Sequence, residues 1–133
     1  MKLLLDTHVW VWSQDRSSGL GSAAAKLLVD DSSSLYVSTV SSLEIARLAW
    51  GDRLTLDIPV GDWIEQSIDS LLADTLTMTH AVAIRAYSLP DDFHRDPADR
   101  ILAASAIIHD LTPVTADEHL LAYPHIAAVD ARP

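Results

Sequence analysis

Lys2-Leu3-Leu4-Leu5-Asp6-Thr7 is the stretch from which the fold can be read. Three consecutive apolar residues run into an acid, and a helix-like segment follows with no long loop between. A short continuous apolar run bounded by a polar turn predicts a strand buried on both faces. Asp6 then stands at the strand's carboxyl end, where ligands collect in open parallel α/β sheets. An acid at the end of a buried strand is costly without a partner. Three further acids are expected at the same edge: Glu44, Asp99 and Asp117.

Outward from that strand, residues 8–12 predict a short helix carrying Trp10 and Trp12, and 14–21 a polar loop rich in Gly and Ser. Ser22 can cap a helix through 23–29, which is rich in strong helix formers. Residues 35–38 read as a second strand. Ser41 or Ser42 is expected to cap the next helix, which puts Glu44 in its first turn and ends at Gly51. Ile64, Ile68, Leu71 and Leu72 fall at helical spacing on one apolar face. A third strand is expected at 75–78, and a helix capped by Thr79 runs to about Tyr87.

His94-Arg95-Asp96-Pro97-Ala98-Asp99-Arg100 is the second informative stretch. An acid followed by proline signals a helix start, with Asp96 as the N-cap and Asp99 at the third helical position. The segment 101–108 is apolar all round except Ser105, as in a helix packed between a sheet and other helices. Residues 113–115 read as a fourth strand ending near Asp117, then come a helical turn at 118–121 and a possible edge strand at 127–129. Strands alternating with helices predict an α/β fold: a three-layer α/β/α sandwich around a central, mainly parallel sheet. The 133 residues are expected to form one domain, 1–133.

Composition narrows the chemistry. Without cysteine, thiol and zinc-thiolate chemistry are excluded. No apolar run approaches the roughly 20 residues of a membrane span, and Asp6 ends the opening leucines far short of a signal peptide, so no membrane is expected and the cytoplasm is the default location. The formal charge of −10 has the wrong sign for a nucleic-acid binder. That objection weakens if several acids are metal ligands, whose charge a cation offsets locally. There is no GxxxxGKS/T loop, no GxSxG elbow and no HExxH pair.

Each acid has an ordinary structural reading as well. Glu44 and Asp99 suit a helix's first turn through the macrodipole, and Asp117 suits a turn or cap. Together they point elsewhere. Unit charges about 4 Å apart repel by roughly 4 kcal/mol at an effective dielectric near 20. Four converging carboxylates therefore call for protons or a cation, and oxygen donors of this kind suit Mg²⁺ or Mn²⁺. That is the apparatus of metal-assisted phosphoester hydrolysis. His8 reads as packed or solvated. His94, Arg53, Arg95 and Arg100 are candidates for phosphate contacts, and the tryptophans read as core or interface anchors.

Leu3-Leu4-Leu5-Asp6-Thr7-His8, Ser42-Leu43-Glu44-Ile45-Ala46, Gly51-Asp52-Arg53-Leu54, the segment from Arg95 to Ala104 and Thr115-Ala116-Asp117-Glu118 resemble, in order, the motifs of the PIN-domain family. The resemblance spans the chain and is nearest to the VapC-type toxins of toxin–antitoxin modules. It implies a Mg²⁺- or Mn²⁺-dependent endoribonuclease leaving a 5′-phosphate and a 3′-hydroxyl. The family's acids fall on Asp6, Glu44, Asp99 and Asp117, as catalytic residues and metal ligands, with Thr7 and Thr115 supporting them. Asp96 matches a residue common before the family's proline and is read as the cap. Ala98 departs from the larger aromatic frequent at its position. The resemblance also implies an RNA substrate, a homodimer and a small VapB-like antitoxin over the active site, for which Trp10 and Trp12 could line a groove. A non-catalytic PIN-fold RNA- or protein-binding module is the alternative. A receiver-type signalling domain fails because its phosphoacceptor and late lysine are missing: the third strand ends Leu76-Thr77-Met78-Thr79, and no lysine follows Lys26.

Overall fold

The computed structural model describes residues 1–15 and 19–133; Arg16, Ser17 and Ser18, within the expected 14–21 loop, lie outside the described residues. The strands are β1 (Lys2–Leu5), β2 (Ser34–Ser38), β3 (Asp74–Leu76), β4 (Thr112–Thr115) and β5 (Val129–Asp130). The helices are α1 (Thr7–Ser13), α2 (Ser22–Val29), α3 (Thr39–Trp50), α4 (Val60–Leu71), α5 (His80–Ala86), α6 (Pro97–His109) and α7 (Glu118–Ala122). The five strands form one sheet in the order β3-β2-β1-β4-β5, and every neighbouring pair is parallel.

β1 is the central strand, and its side chains alternate between two cores. Leu3 and Leu5 pack with Val9, Trp10, Leu28, Val37 and Val114, whereas Leu4 packs on the other face with Leu102, Ala103 and Leu120. An all-apolar strand is what a sheet covered on both faces requires. Burying each of these leucines contributes roughly 1.5–3 kcal/mol. The expected α/β sandwich with a parallel sheet is the fold observed. No helix among the described residues is long and apolar enough to cross a membrane.

Several boundaries differ from expectation for identifiable reasons. β2 runs directly into α3, so Ser38, not Ser41 or Ser42, is the N-cap, its Oγ accepting from Val40 N at 3.1 Å. Glu44 consequently sits in the second turn of α3 rather than the first. Gly21 caps α2, with Ser22 already helical. Gly21 also passes so close to the C-terminal chain that an added Cβ would stand 2.6 Å from Arg132 O. Leu72 leaves its expected apolar face because it ends α4 in the left-handed region, at φ 53°, and is exposed. The third and fifth strands are short edge strands shifted by one or two residues from 75–78 and 127–129. Asp96 caps α6 as expected, accepting from Asp99 N at 2.9 Å, with Pro97 opening the helix. Within α6, Ser105 is satisfied by donating to Ile101 O at 2.8 Å.

The order of strands sets the location of the site. From β1 the chain steps one way to β2 and β3, then crosses back to β4 on the other side of β1. The crevice outside the carboxyl ends of β1 and β4 is therefore the switch point at which parallel sheets bind ligands.

Candidate metal centre

That crevice is a cavity of about 330 Å³ lined by Asp6, Thr7, His8, Trp12, Glu44, Asp96, Asp99, Ala116 and Asp117. Five carboxylates face it, and none of its described lining residues is lysine or arginine. A larger hollow of about 570 Å³ beside α1 and the 54–58 segment holds only Asp15 and Asp57 among acids. Charge rather than size distinguishes the smaller one.

The strand side of the cavity is tied together by threonines. Asp6, at the end of β1, is buried; its Oδ1 accepts from Thr7 N at 2.7 Å and its Oδ2 from Thr115 Oγ1 at 2.6 Å. Thr115 Oγ1 in turn accepts from Asp117 N at 2.9 Å, which links β4 to the start of α7. Thr7 Oγ1 donates to Glu44 Oε1 at 2.5 Å and exchanges a 2.9 Å hydrogen bond with the fully buried Ser41 Oγ. Glu44 thus reaches the site from α3 with Oε2 clear of that bond. Thr7 and Thr115, expected from the resemblance as supporting residues, are hydrogen-bonded to Asp6, and Thr7 also to Glu44.

The helix side is arranged differently. Asp99, in the first turn of α6, accepts no aligned hydrogen bond among the described residues. His94 Nε2 lies 2.9 Å from its Oδ2, yet that buried nitrogen has no hydrogen bond of acceptable direction. Asp117 caps α7, Oδ1 accepting from His119 N and Leu120 N at 2.9 and 3.0 Å, which leaves Oδ2 uncommitted. His94, Asp99 and Asp117 each offer a donor atom within 4.8 Å of the others.

Burial and mutual repulsion make this cluster hard to ionise. Burial raises the Asp6 carboxyl above its ordinary range, against the lowering effect of the Thr115 and Thr7 hydrogen bonds. Glu44 is raised by burial, again opposed by Thr7. Asp99 is pushed up to about 8, first by burial and then by the charges of Asp117, Asp6, Asp96 and Glu44. A divalent cation would favour the ionised form of each carboxyl and offset their mutual repulsion, and the donor set fits one: uncommitted carboxylate oxygens beside a buried imidazole nitrogen with no aligned hydrogen bond.

The candidate phosphate contacts fare unequally. Arg100 is consumed by the fold: Nε donates to Ala86 O at 2.7 Å, NH1 to Phe93 O and His94 O at 2.9 and 3.0 Å, and its guanidinium lies 4.9 Å over the Tyr87 ring. It braces the segment before α6 and is not a free phosphate ligand. Arg53 and Arg95 are exposed and outside the cavity lining. His94 faces Asp99 and stacks on His119, with ring centres 3.8 Å apart; it lines a neighbouring hollow of about 220 Å³ with Phe93, His119 and Tyr123, and meets the acid cavity only through its contact with Asp99. Trp10 cannot line a partner groove: it is fully buried, with Nε1 donating to Ser67 Oγ at 2.9 Å on α4. Trp12 does line the cavity.

Sequence reading missed Ser41 and the His94–Asp99–Asp117 grouping. Ser41 was detectable in principle, three residues before Glu44 on one helical face. His94 carried only its closeness in sequence to Asp99 as a signal.

The PIN domain family model matches residues 3–126. The chain is 37% identical over 123 residues, 92% of each protein, to Ribonuclease VapC22 of Mycobacterium tuberculosis. Among solved structures, VapBC2 from Rickettsia felis bound to a promoter DNA fragment superposes with a TM-score of 0.65 at 16% identity, over 96% of this chain and 97% of that one. DNA-bound VapBC from Salmonella typhimurium gives 0.65 at 17% identity, over 98% of both. These two likenesses concern the fold.

Proposed function

The chain belongs to the PIN-domain family, and from that premise we propose that it is a metal-dependent endoribonuclease, the toxin of a VapBC-type toxin–antitoxin pair acting in the cytoplasm. The observation that carries the reading is the cavity of five carboxylates in which Asp99 is pushed up to about 8. A site whose own charges oppose its ionisation is poorly suited to stability and well suited to a cation. The 37%-identical relative named a ribonuclease supports RNA as the substrate.

Asp6, Glu44, Asp99 and Asp117 would hold Mg²⁺ or Mn²⁺. When bound, such an ion supplies Lewis-acid polarisation of phosphodiester oxygens and lowers the pKa of water. The chain's residues do the positioning. Thr115 and Thr7 fix the Asp6 carboxylate in one orientation by donating to both of its oxygens. Thr7 holds Glu44 by one oxygen and leaves the other to orient an attacking water. Exposed Arg53 and Arg95 remain the proposed RNA phosphate contacts. A VapB-like antitoxin presenting a basic side chain to this cavity would match its charge, and pairing of two copies follows the family expectation.

Cleavage of total RNA by the purified protein tests the reading. With Mg²⁺ or Mn²⁺ we expect discrete fragments that vanish with EDTA and in a folded Asp99→Asn variant. Intact RNA from antitoxin-free protein, or cleavage that survives both controls, would overturn it and favour the non-catalytic binding module.

A further inference from the structure

We propose that His94 supplies a nitrogen ligand to the cation held by Asp99 and Asp117, so that the centre selects Mn²⁺ over Mg²⁺. The inference rests on the metal-dependent reading above and deepens it.

Three observations carry it. His94, Asp99 and Asp117 form the one group of three histidine, cysteine or acidic side chains among the described residues whose donor atoms all lie within 4.8 Å of one another. Donors about 2.1 Å from a shared ion stand roughly 3–4 Å apart, so a small inward closure completes the set. Next, His94 Nε2 is a buried polar atom without an aligned hydrogen bond, although a carboxylate oxygen lies 2.9 Å away. Such an orphan calls for an explanation, and a missing ion is one of the few available. Finally, the ring is held where it stands. His119 stacks on one face at 3.8 Å with 9° between planes, Phe93 meets it edge-on at 4.8 Å, and Arg100 NH1 grips its main-chain carbonyl at 3.0 Å. The strand-side acids have partly spent their oxygens on Thr7 and Thr115, which leaves the His94 group the freer set of donors.

The chemistry of the donors decides the metal. Mg²⁺ keeps to oxygen and gives up water reluctantly, whereas imidazole suits transition metals. Exchanging an oxygen for an imidazole nitrogen therefore shifts the preference of a carboxylate centre toward Mn²⁺. Loss of His94 should weaken Mn²⁺ by about ten- to a hundredfold, the range seen when metal-site partners are removed, with little change for Mg²⁺.

Pulsed electron paramagnetic resonance of Mn²⁺ bound to the full chain at pH 7.5 provides a readout separate from activity. We expect a ¹⁴N coupling that converts to ¹⁵N when only histidine is ¹⁵N-labelled. It should persist in His8→Ala, which removes the histidine that lines the cavity, and vanish in His94→Ala together with the fall in the Mn²⁺/Mg²⁺ affinity ratio. If His94→Ala fails to fold, His94→Gln takes its place, and His119→Ala, in which the coupling should persist, separates His94 from the ring stacked on it. Bound Mn²⁺ with no histidine nitrogen coupling, or coupling retained in His94→Ala, would overturn the ligand assignment and leave the metal centre standing. Absence of Mn²⁺ binding would overturn both.

Discussion

Asp6, at the end of β1, and Asp99, in the first turn of α6, line the same cavity in opposite surroundings. Asp6 is the more deeply buried, yet both of its oxygens accept protein hydrogen bonds. Asp99 keeps 16% of its side chain exposed, receives no aligned donor among the described residues, and faces Asp117, Asp6, Asp96 and Glu44. The strand half is stabilised by the fold itself. Under the proposed function, the helix half is left to an external cation. A buried carboxylate need not signal a ligand if donors surround it, and a partly exposed one can be the stronger signal when they do not.

Substitutions break this comparison in graded ways. Asp99→Asn should reduce RNA cleavage about a thousandfold, ~4 kcal/mol of transition-state stabilisation, as befits loss of a principal ligand. Single-turnover cleavage measures it, and a loss under tenfold would place the chemistry elsewhere. Arg100→Met should cost about 2–4 kcal/mol in urea unfolding, because three main-chain carbonyls lose a charged donor. Arg95→Ala, at an exposed position, should leave the urea midpoint unchanged.

Thr115→Val strips one donor from Asp6 and the acceptor for Asp117 N, so it should cost about 1–3 kcal/mol, with Thr115→Ser restoring most of it. Equal loss in both variants would mean that the methyl packing, not the hydroxyl, supports the strand half.

The smallest effect concerns pH. The Asp99 carboxyl lies at about 8 when folded, above its ordinary 3.8. Its contribution to stability is therefore complete below the ordinary value and is lost as pH rises through about 8. Asp6 and Glu44, also raised, act with the same sign. Metal-free protein should accordingly melt a few degrees lower at pH 8 than at pH 5.5. Asp130, held down at about 2 by Arg132, has the opposite sign but titrates well below that window.

What was legible in the sequence was local. Burial of Leu3, Leu4 and Leu5 on both faces of the sheet follows from an apolar run, and the α6 start follows from Asp96-Pro97. The acids Asp6, Glu44, Asp99 and Asp117 do share one cavity. The α3 cap was illegible because the sequence pattern offered Ser41 or Ser42, whereas a strand that enters a helix without a loop puts the cap on its own last residue, Ser38. What places it there is the pairing of β2 with β3, which runs to Ser38, while Ser41 is engaged by Thr7, 34 residues away. The roles of Arg100 and His94 were illegible for the same reason. A guanidinium beside acids looks like a phosphate ligand until the fold supplies the carbonyls of Ala86 and Phe93. Trp10 reads as an interface residue until α4 brings Ser67 to its indole nitrogen.

The most direct test of the divided centre is the melting temperature of wild type and Asp99→Asn at pH 8, each with EDTA and with Mn²⁺. The account predicts that, without metal, Asp99→Asn melts at or above wild type because a repelled carboxylate has been removed, and that Mn²⁺ raises wild type much more than the variant. A variant that melts below wild type in EDTA, with equal gains from Mn²⁺ in both, would show that Asp99 serves the fold and not the cation.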